Sequence, residues 1–122
     1  MRTDHILIFD DDIDMAELLV ALLEAKGYPS QIIRHKKELI AYLKTNPDSN
    51  SLLLDVFIGD ISGLAIAADV KRDFPKTRIL LMSGSDAMQI HGVNTLIKEG
   101  VIAGFINKPF SFNHLLHFFS AV

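Results

Sequence analysis

Short apolar runs that stop abruptly at polar or charged residues leave this chain few folds to choose from. Ile6-Leu7-Ile8-Phe9 ends in Asp10-Asp11-Asp12, and Leu52-Leu53-Leu54 ends at Asp55. Ile79-Leu80-Leu81-Met82 ends at Ser83-Gly84-Ser85-Asp86, and Ala103 to Asn107 meets Lys108-Pro109. Such a run has no polar face to offer water, so it reads as a strand buried on both sides. Ser30 to Arg34 is a weaker strand of the same kind. Between the runs the period changes. Met15, Leu18, Leu19, Leu22 and Leu23 recur at helical spacing, with Gly27 placed for a C-terminal cap and Asp12 and Asp14 suited to the positive helix start. Lys36 to Thr45 turns Leu39, Ile40 and Leu43 inward and stops before Pro47. Gly63 to about Phe74 is an Ala-rich helix closed by Pro75, and Ile90 to Glu99 is followed by Gly100. Ser111 can cap a last helix carrying Phe112, Leu115, Leu116 and Phe119 on one face. Five strands alternating with five helices predict an α/β fold, a doubly wound parallel sheet covered on both faces. With 122 residues, a single domain over 1–122 is expected.

Composition narrows the function. There is no cysteine, which excludes disulfide scaffolds, thiol catalysis and cysteine zinc sites. A net charge of −3 and a pI near 5.9 give no basic patch, so direct nucleic-acid binding is not expected. The first apolar run is followed by acids, unlike a signal peptide, and no run approaches the roughly 20 residues of a membrane span. A cytoplasmic protein without membrane contact is the expectation.

In a doubly wound sheet the ligand site lies beyond the carboxyl ends of the strands. Asp10, Asp11, Asp55, Ser83 and Lys108 all fall there. Three converging carboxylates repel one another unless a cation neutralises them, and a hard, oxygen-seeking ion such as Mg²⁺ fits. A carboxylate beside Mg²⁺, with an ammonium and a hydroxyl nearby, suits phosphoryl transfer.

With these residues in this order, the chain resembles the receiver (phosphoacceptor) domain of bacterial two-component response regulators, from Ile6 to about Phe119. The resemblance rests on Asp10-Asp11 after the first strand, Leu53-Leu54-Asp55 with Ser62-Gly63 following, Ser83-Gly84, Phe105 and Lys108-Pro109-Phe110. It implies a flavodoxin-like five-stranded sheet of order 2-1-3-4-5. It implies Asp55 as the phosphorylated nucleophile. Asp11, Asp55 and the backbone carbonyl of Phe57 would bind Mg²⁺ directly, and Asp10 largely through water. Ser83 and Lys108 would each meet a phosphoryl oxygen, and Phe105 would turn inward as Ser83 moves. The Lys108–Pro109 bond is expected to be cis. The implied phosphodonor is a sensor histidine kinase or a histidine phosphotransfer protein. The implied output is the face of the fourth helix, fifth strand and fifth helix, with an output domain possible in a longer protein. Such a module is not a conventional enzyme.

Two positions depart from the family pattern. Gly59 stands where proline is usual, so a less rigid loop is expected there. Phe57 is bulky and is expected to shield the phosphoryl group, with Ser85 across the same approach. Asp12 reads as helix-start chemistry and Asp60 as a solvated loop acid. His114 and His117 are i, i+3 on the last helix, but no third ligand accompanies them. A haloacid-dehalogenase-like phosphatase with Asp10 as nucleophile and Asp12 beside it is the rival, but no acid follows Lys108. A degenerate receiver that only binds is the other. Ser111 to Val122 carries no Lys, Arg, Asp or Glu, so a salt-bridged dimer through the last helix is not expected. Phe118 and Val122, with His114 one turn before, form a stripe that either meets a partner or folds over the domain's own edge.

Overall fold

Each apolar run has two faces to cover, and the chain covers them by placing helices on both sides of one sheet. The computed structural model describes residues 5–47, 50–84 and 92–120. In chain order the elements are β1 (His5–Phe9), α1 (Ile13–Ala25), β2 (Ser30–Ile33), α2 (Lys36–Thr45), β3 (Asn50–Asp55), β4 (Phe57–Ile58), β5 (Ile61–Ser62), α3 (Gly63–Asp73), β6 (Arg78–Ser83), α4 (Val93–Lys98), β7 (Gly104–Asn107) and α5 (Phe112–Ser120). The main sheet runs β2-β1-β3-β6-β7 with every neighbouring pair parallel. That is the expected order 2-1-3-4-5 once β4 and β5, a separate antiparallel pair, are set aside.

Successive strand residues point to opposite faces. Leu7, Phe9, Leu52, Leu54, Ile79 and Leu81 share one core layer with Leu39 and Leu43 of α2, Ile66 and Val70 of α3, and Val93 of α4. Ile6, Ile8, Leu53, Leu80 and Met82 share the other with Leu19 and Leu23 of α1 and Leu115 and Phe119 of α5. Burying each such side chain is worth about 1.5–3 kcal/mol, which is why the central strands tolerate no polar alternation.

The helix ends follow from local chemistry. Met15 N–H donates to Asp12 Oδ1 at 3.1 Å, His114 N–H to Ser111 Oγ at 3.1 Å, and Ala65 N–H to Ser62 Oγ at 3.4 Å. Each satisfies an orphan donor of a first turn. Gly27, at φ +87°, turns the chain out of α1 while Tyr28 N–H donates back to Leu23 O at 3.0 Å. Gly63 has a different task. A Cβ built there would lie 2.1 Å from the carbonyl oxygen of Asp55, so only glycine lets α3 start against the end of β3. The eight-residue offset between Asp55 and Gly63 is thus a close backbone approach.

Three expectations are refined. The fourth helix, expected from Ile90, is described from Val93; Ser85, Asp86 and Ile90 lie outside the described residues, as does Val122. Leu18 is 54% exposed, because the apolar stripe of α1 is wider than the surface the sheet offers it. Phe118 folds over the domain's own edge. Its ring meets Phe119 edge-on at 5.3 Å, and the Arg78 guanidinium lies 4.3 Å above it.

Candidate functional site

The site is assembled where the parallel strands end. Asp10 follows β1, Asp55 closes β3, Ser83 closes β6, and Lys108 follows β7. Parallel register brings these ends together: Asp55 sits opposite Met82, one residue before Ser83, and Ser83 sits opposite Asn107, one residue before Lys108. Lys108 N–H donates to Ser83 O at 2.7 Å, and the Lys108–Pro109 bond is cis, as expected.

Side chains converge from there. Lys108 Nζ lies 2.5 Å from Asp10 Oδ2 and 3.1 Å from Asp55 Oδ2, so one ammonium bridges two carboxylates. Carboxylate oxygens of Asp10, Asp11 and Asp55 lie within 4.8 Å of one another. Backbone amides hold three of the four remaining oxygens. Asp12 N–H donates to Asp10 Oδ1 at 3.0 Å, Phe57 N–H to Asp55 Oδ1 at 3.2 Å, and Gly59 N–H to Asp11 Oδ2 at 2.9 Å. Asp10 is buried, Asp55 half-buried and Asp11 exposed.

Electrostatics divide the acids. Burial works to raise the Asp10 carboxyl, but the Lys108 ammonium and the Asp12 amide outweigh it and hold Asp10 below the usual carboxylate range. Burial also raises Asp55, and its contact with the Asp10 carboxylate adds to that. Lys108 and the Phe57 amide do not fully offset the two, so Asp55 stands above its ordinary value. Burial pulls Lys108 down, yet its two carboxylate partners leave it raised and fully charged. Three carboxylates share one cation, so a cluster ionised throughout is left two charges short of neutral. A donor set made only of carboxylate oxygens fits a hard dication such as Mg²⁺.

Of the residues anticipated from sequence, Asp10, Asp11, Asp55 and Lys108 are in one cluster, and Ser83 is buried at the adjoining strand end. Phe105, in register with Leu81, is half-buried against the layer of α2, α3 and α4. The Phe57 backbone reaches the site, but the residue is 59% exposed, so its side chain does not close over the site. Asp12 is exposed and occupied in capping α1, which removes the second acid of the phosphatase alternative. The hairpin of β4 and β5 was not anticipated. Where a loosened loop was expected, Gly59-Asp60 makes a two-residue turn with Gly59 at φ +61°, and Ile58 pairs with Ile61. The signal was present as a Gly-Asp pair between Phe57-Ile58 and Ile61-Ser62, a recognised hairpin turn.

Known proteins resemble this chain in sequence and in fold. The family model of the response regulator receiver domain matches residues 6–120. The NtrX-like response regulator of Rickettsia bellii is 26% identical over 118 residues, covering 95% of this chain and 24% of its own length. The acid tolerance regulatory protein ActR of Sinorhizobium medicae is 27% identical over 115 residues, covering 85% of this chain and 59% of its own. The chain thus spans less than two thirds of the length of either relative. Among solved structures, the response regulator TrrA of Thermotoga maritima, in complex with Mg²⁺ and BeF, has a TM-score of 0.79 at 22% identity, covering 98% of both chains.

Proposed function

The chain belongs to the response regulator receiver domain family, and on that premise we propose that it accepts a phosphoryl group on Asp55 from a histidine kinase or a histidine phosphotransfer protein. The observation that carries this reading is the Lys108 ammonium held between Asp10 and Asp55 beside the Asp11 carboxylate. An Asp55 oxygen attacks phosphorus, the bond from phosphorus to the donor imidazole breaks, and its electron pair leaves with the imidazole. Lys108 turns from Asp55 to a phosphoryl oxygen, and the Ser83 hydroxyl donates to another. Asp10, Asp11, Asp55 and the Phe57 carbonyl are the residues that would hold Mg²⁺, which when bound supplies charge neutralisation for carboxylates and phosphoryl oxygens. The Mg²⁺–BeF complex of TrrA supports that assignment.

The signal leaves by the face of α4, β7 and α5. Ser83 moves toward the phosphoryl group and Phe105 turns inward behind it. The greater length of the relatives supports an output domain joined to this one in a longer protein; the protein acts in the cytoplasm, and a dimer of two receivers would form through the same face. No described helix is long and apolar enough to cross a membrane. The module is a signalling switch that catalyses only its own phosphorylation and dephosphorylation.

Incubation with acetyl phosphate, with and without Mg²⁺, followed by reductive trapping and peptide mapping, tests this. Label is expected on Asp55, only with Mg²⁺, and absent from Asp55→Ala. Label on Asp10 would instead support the phosphatase alternative, and phosphorylation of Asp55→Ala at the wild-type rate would refute the assignment.

A further inference from the structure

The hairpin after β3 does more than lead into α3. It sends two backbone amides into the site: Phe57 N–H to Asp55 Oδ1 at 3.2 Å and Gly59 N–H to Asp11 Oδ2 at 2.9 Å. The second bond joins residues 48 apart in sequence and engages the one exposed carboxylate of the three. Without it, an exposed aspartate has only its own rotamer preferences to orient it. Residue 59 meets two demands together. It must adopt φ +61°, and it must present an N–H. Glycine meets both without strain, whereas proline is locked near −65° and has no N–H.

We propose that Gly59 is a positioning residue for the divalent cation, its amide holding Asp11 Oδ2 so that the carboxylate engages the ion through one oxygen and Mg²⁺ is favoured over Ca²⁺. The physical reason is coordination number. Ca²⁺ takes six to eight oxygens and readily accepts two from one carboxylate, whereas Mg²⁺ demands an octahedron and takes one. A charge-assisted amide bond to Oδ2 competes with a bidentate clasp, and Oδ1 has no hydrogen bond among the described residues. Partners that orient a metal ligand are worth about 10–100-fold in affinity. The inference rests on the metal-site reading above.

Calorimetric titration of the full chain with Mg²⁺ and with Ca²⁺ tests both, using wild type, Gly59→Asn and Gly59→Pro. Asparagine tolerates positive φ and keeps the N–H; proline has neither property. Wild type and Gly59→Asn are expected to share one Mg²⁺ preference, and Gly59→Pro to lose about tenfold of it. Equal preference in all three, with Mg²⁺ still bound, would overturn the role of Gly59 and leave the metal site standing. No Mg²⁺ binding by wild type would overturn both. If Gly59→Pro does not fold, amide exchange of Gly59 in the Mg²⁺-loaded wild type decides. Protection that persists when Mg²⁺ is added supports the proposal, and exchange at the rate of an open loop refutes it.

Discussion

Replacing Asp55 with asparagine is expected to make the metal-free protein more stable, although it breaks an ion pair. Asp55 Oδ2 lies 3.1 Å from Lys108 Nζ, and its carboxylate lies within 4.8 Å of those of Asp10 and Asp11. At an effective dielectric of about 20, the attraction is worth about 5 kcal/mol and each repulsion about 3.5 kcal/mol. Two repulsions against one attraction leave about 2 kcal/mol in favour of the neutral side chain. Solvent screening of the exposed Asp11 reduces this to about 1 kcal/mol. For a chain of this size that is a rise of about 3–5 °C in Tm. The expected pH dependence has a definite sign. The Asp55 carboxyl titrates above its ordinary 3.8 in the folded state. Its protonated form therefore favours folding fully below 3.8, and that contribution is lost as pH rises through the raised folded value. The advantage of Asp55→Asn should be full at neutral pH and shrink as pH falls toward 3.8. Thermal melts in EDTA from pH 4 to 7 read this directly. Added Mg²⁺ should raise the wild-type Tm more than the variant's, because the ion offsets the same repulsion. A variant less stable than wild type at pH 7 in EDTA would refute the electrostatic account of the site.

Lys108→Met removes the cation and leaves the buried Asp10 charge unpaired, with an expected cost of about 3–5 kcal/mol in EDTA, partly restored by Mg²⁺ in urea titrations. Gly63→Ala places a Cβ 2.1 Å from Asp55 O, so β3 and α3 must separate, and denaturant melts should show a loss of about 2–3 kcal/mol. Thr77→Val should raise stability by about 1 kcal/mol in the same assay, since the buried Thr77 hydroxyl has no partner among the described residues. Phe57→Asn should change the lifetime of the phosphorylated form by less than about twofold, because a residue 59% exposed excludes little water; a several-fold shorter lifetime, followed by loss of radiolabel, would show that the ring closes over the phosphoryl group.

Much of the site was legible because a strand buried on both faces can place polar chemistry only at its ends. The interruptions at Asp10, Asp55, Ser83 and Lys108 therefore mark one rim once the sheet is known to be parallel. The spacing of Gly63 from Asp55 was legible as a pattern, but its cause, contact with the Asp55 carbonyl, was not. The hairpin escaped because strands of two residues are too short to display a period. Phe118 was ambiguous because its helix says which stripe it occupies and not what crosses that stripe. The answer, Arg78, comes from 40 residues away.

The sequence alone determined the layered parallel sheet, the edge at which the chemistry sits and the residue types gathered there. Burial of apolar runs and helical periodicity are local properties that repeat along a chain, and both can be read in order. Tertiary structure decided what those residues do to one another. Burial and the neighbouring Asp10 carboxylate raise Asp55, while the Lys108 ammonium, 2.5 Å from Asp10 and 3.1 Å from Asp55, helps to lower the first and only partly offsets the rise of the second. The orientation of Asp11 follows from an amide 48 residues distant. Electrostatic and hydrogen-bond energies depend on separations of a few ångströms across the fold, and distance along the chain carries no record of them.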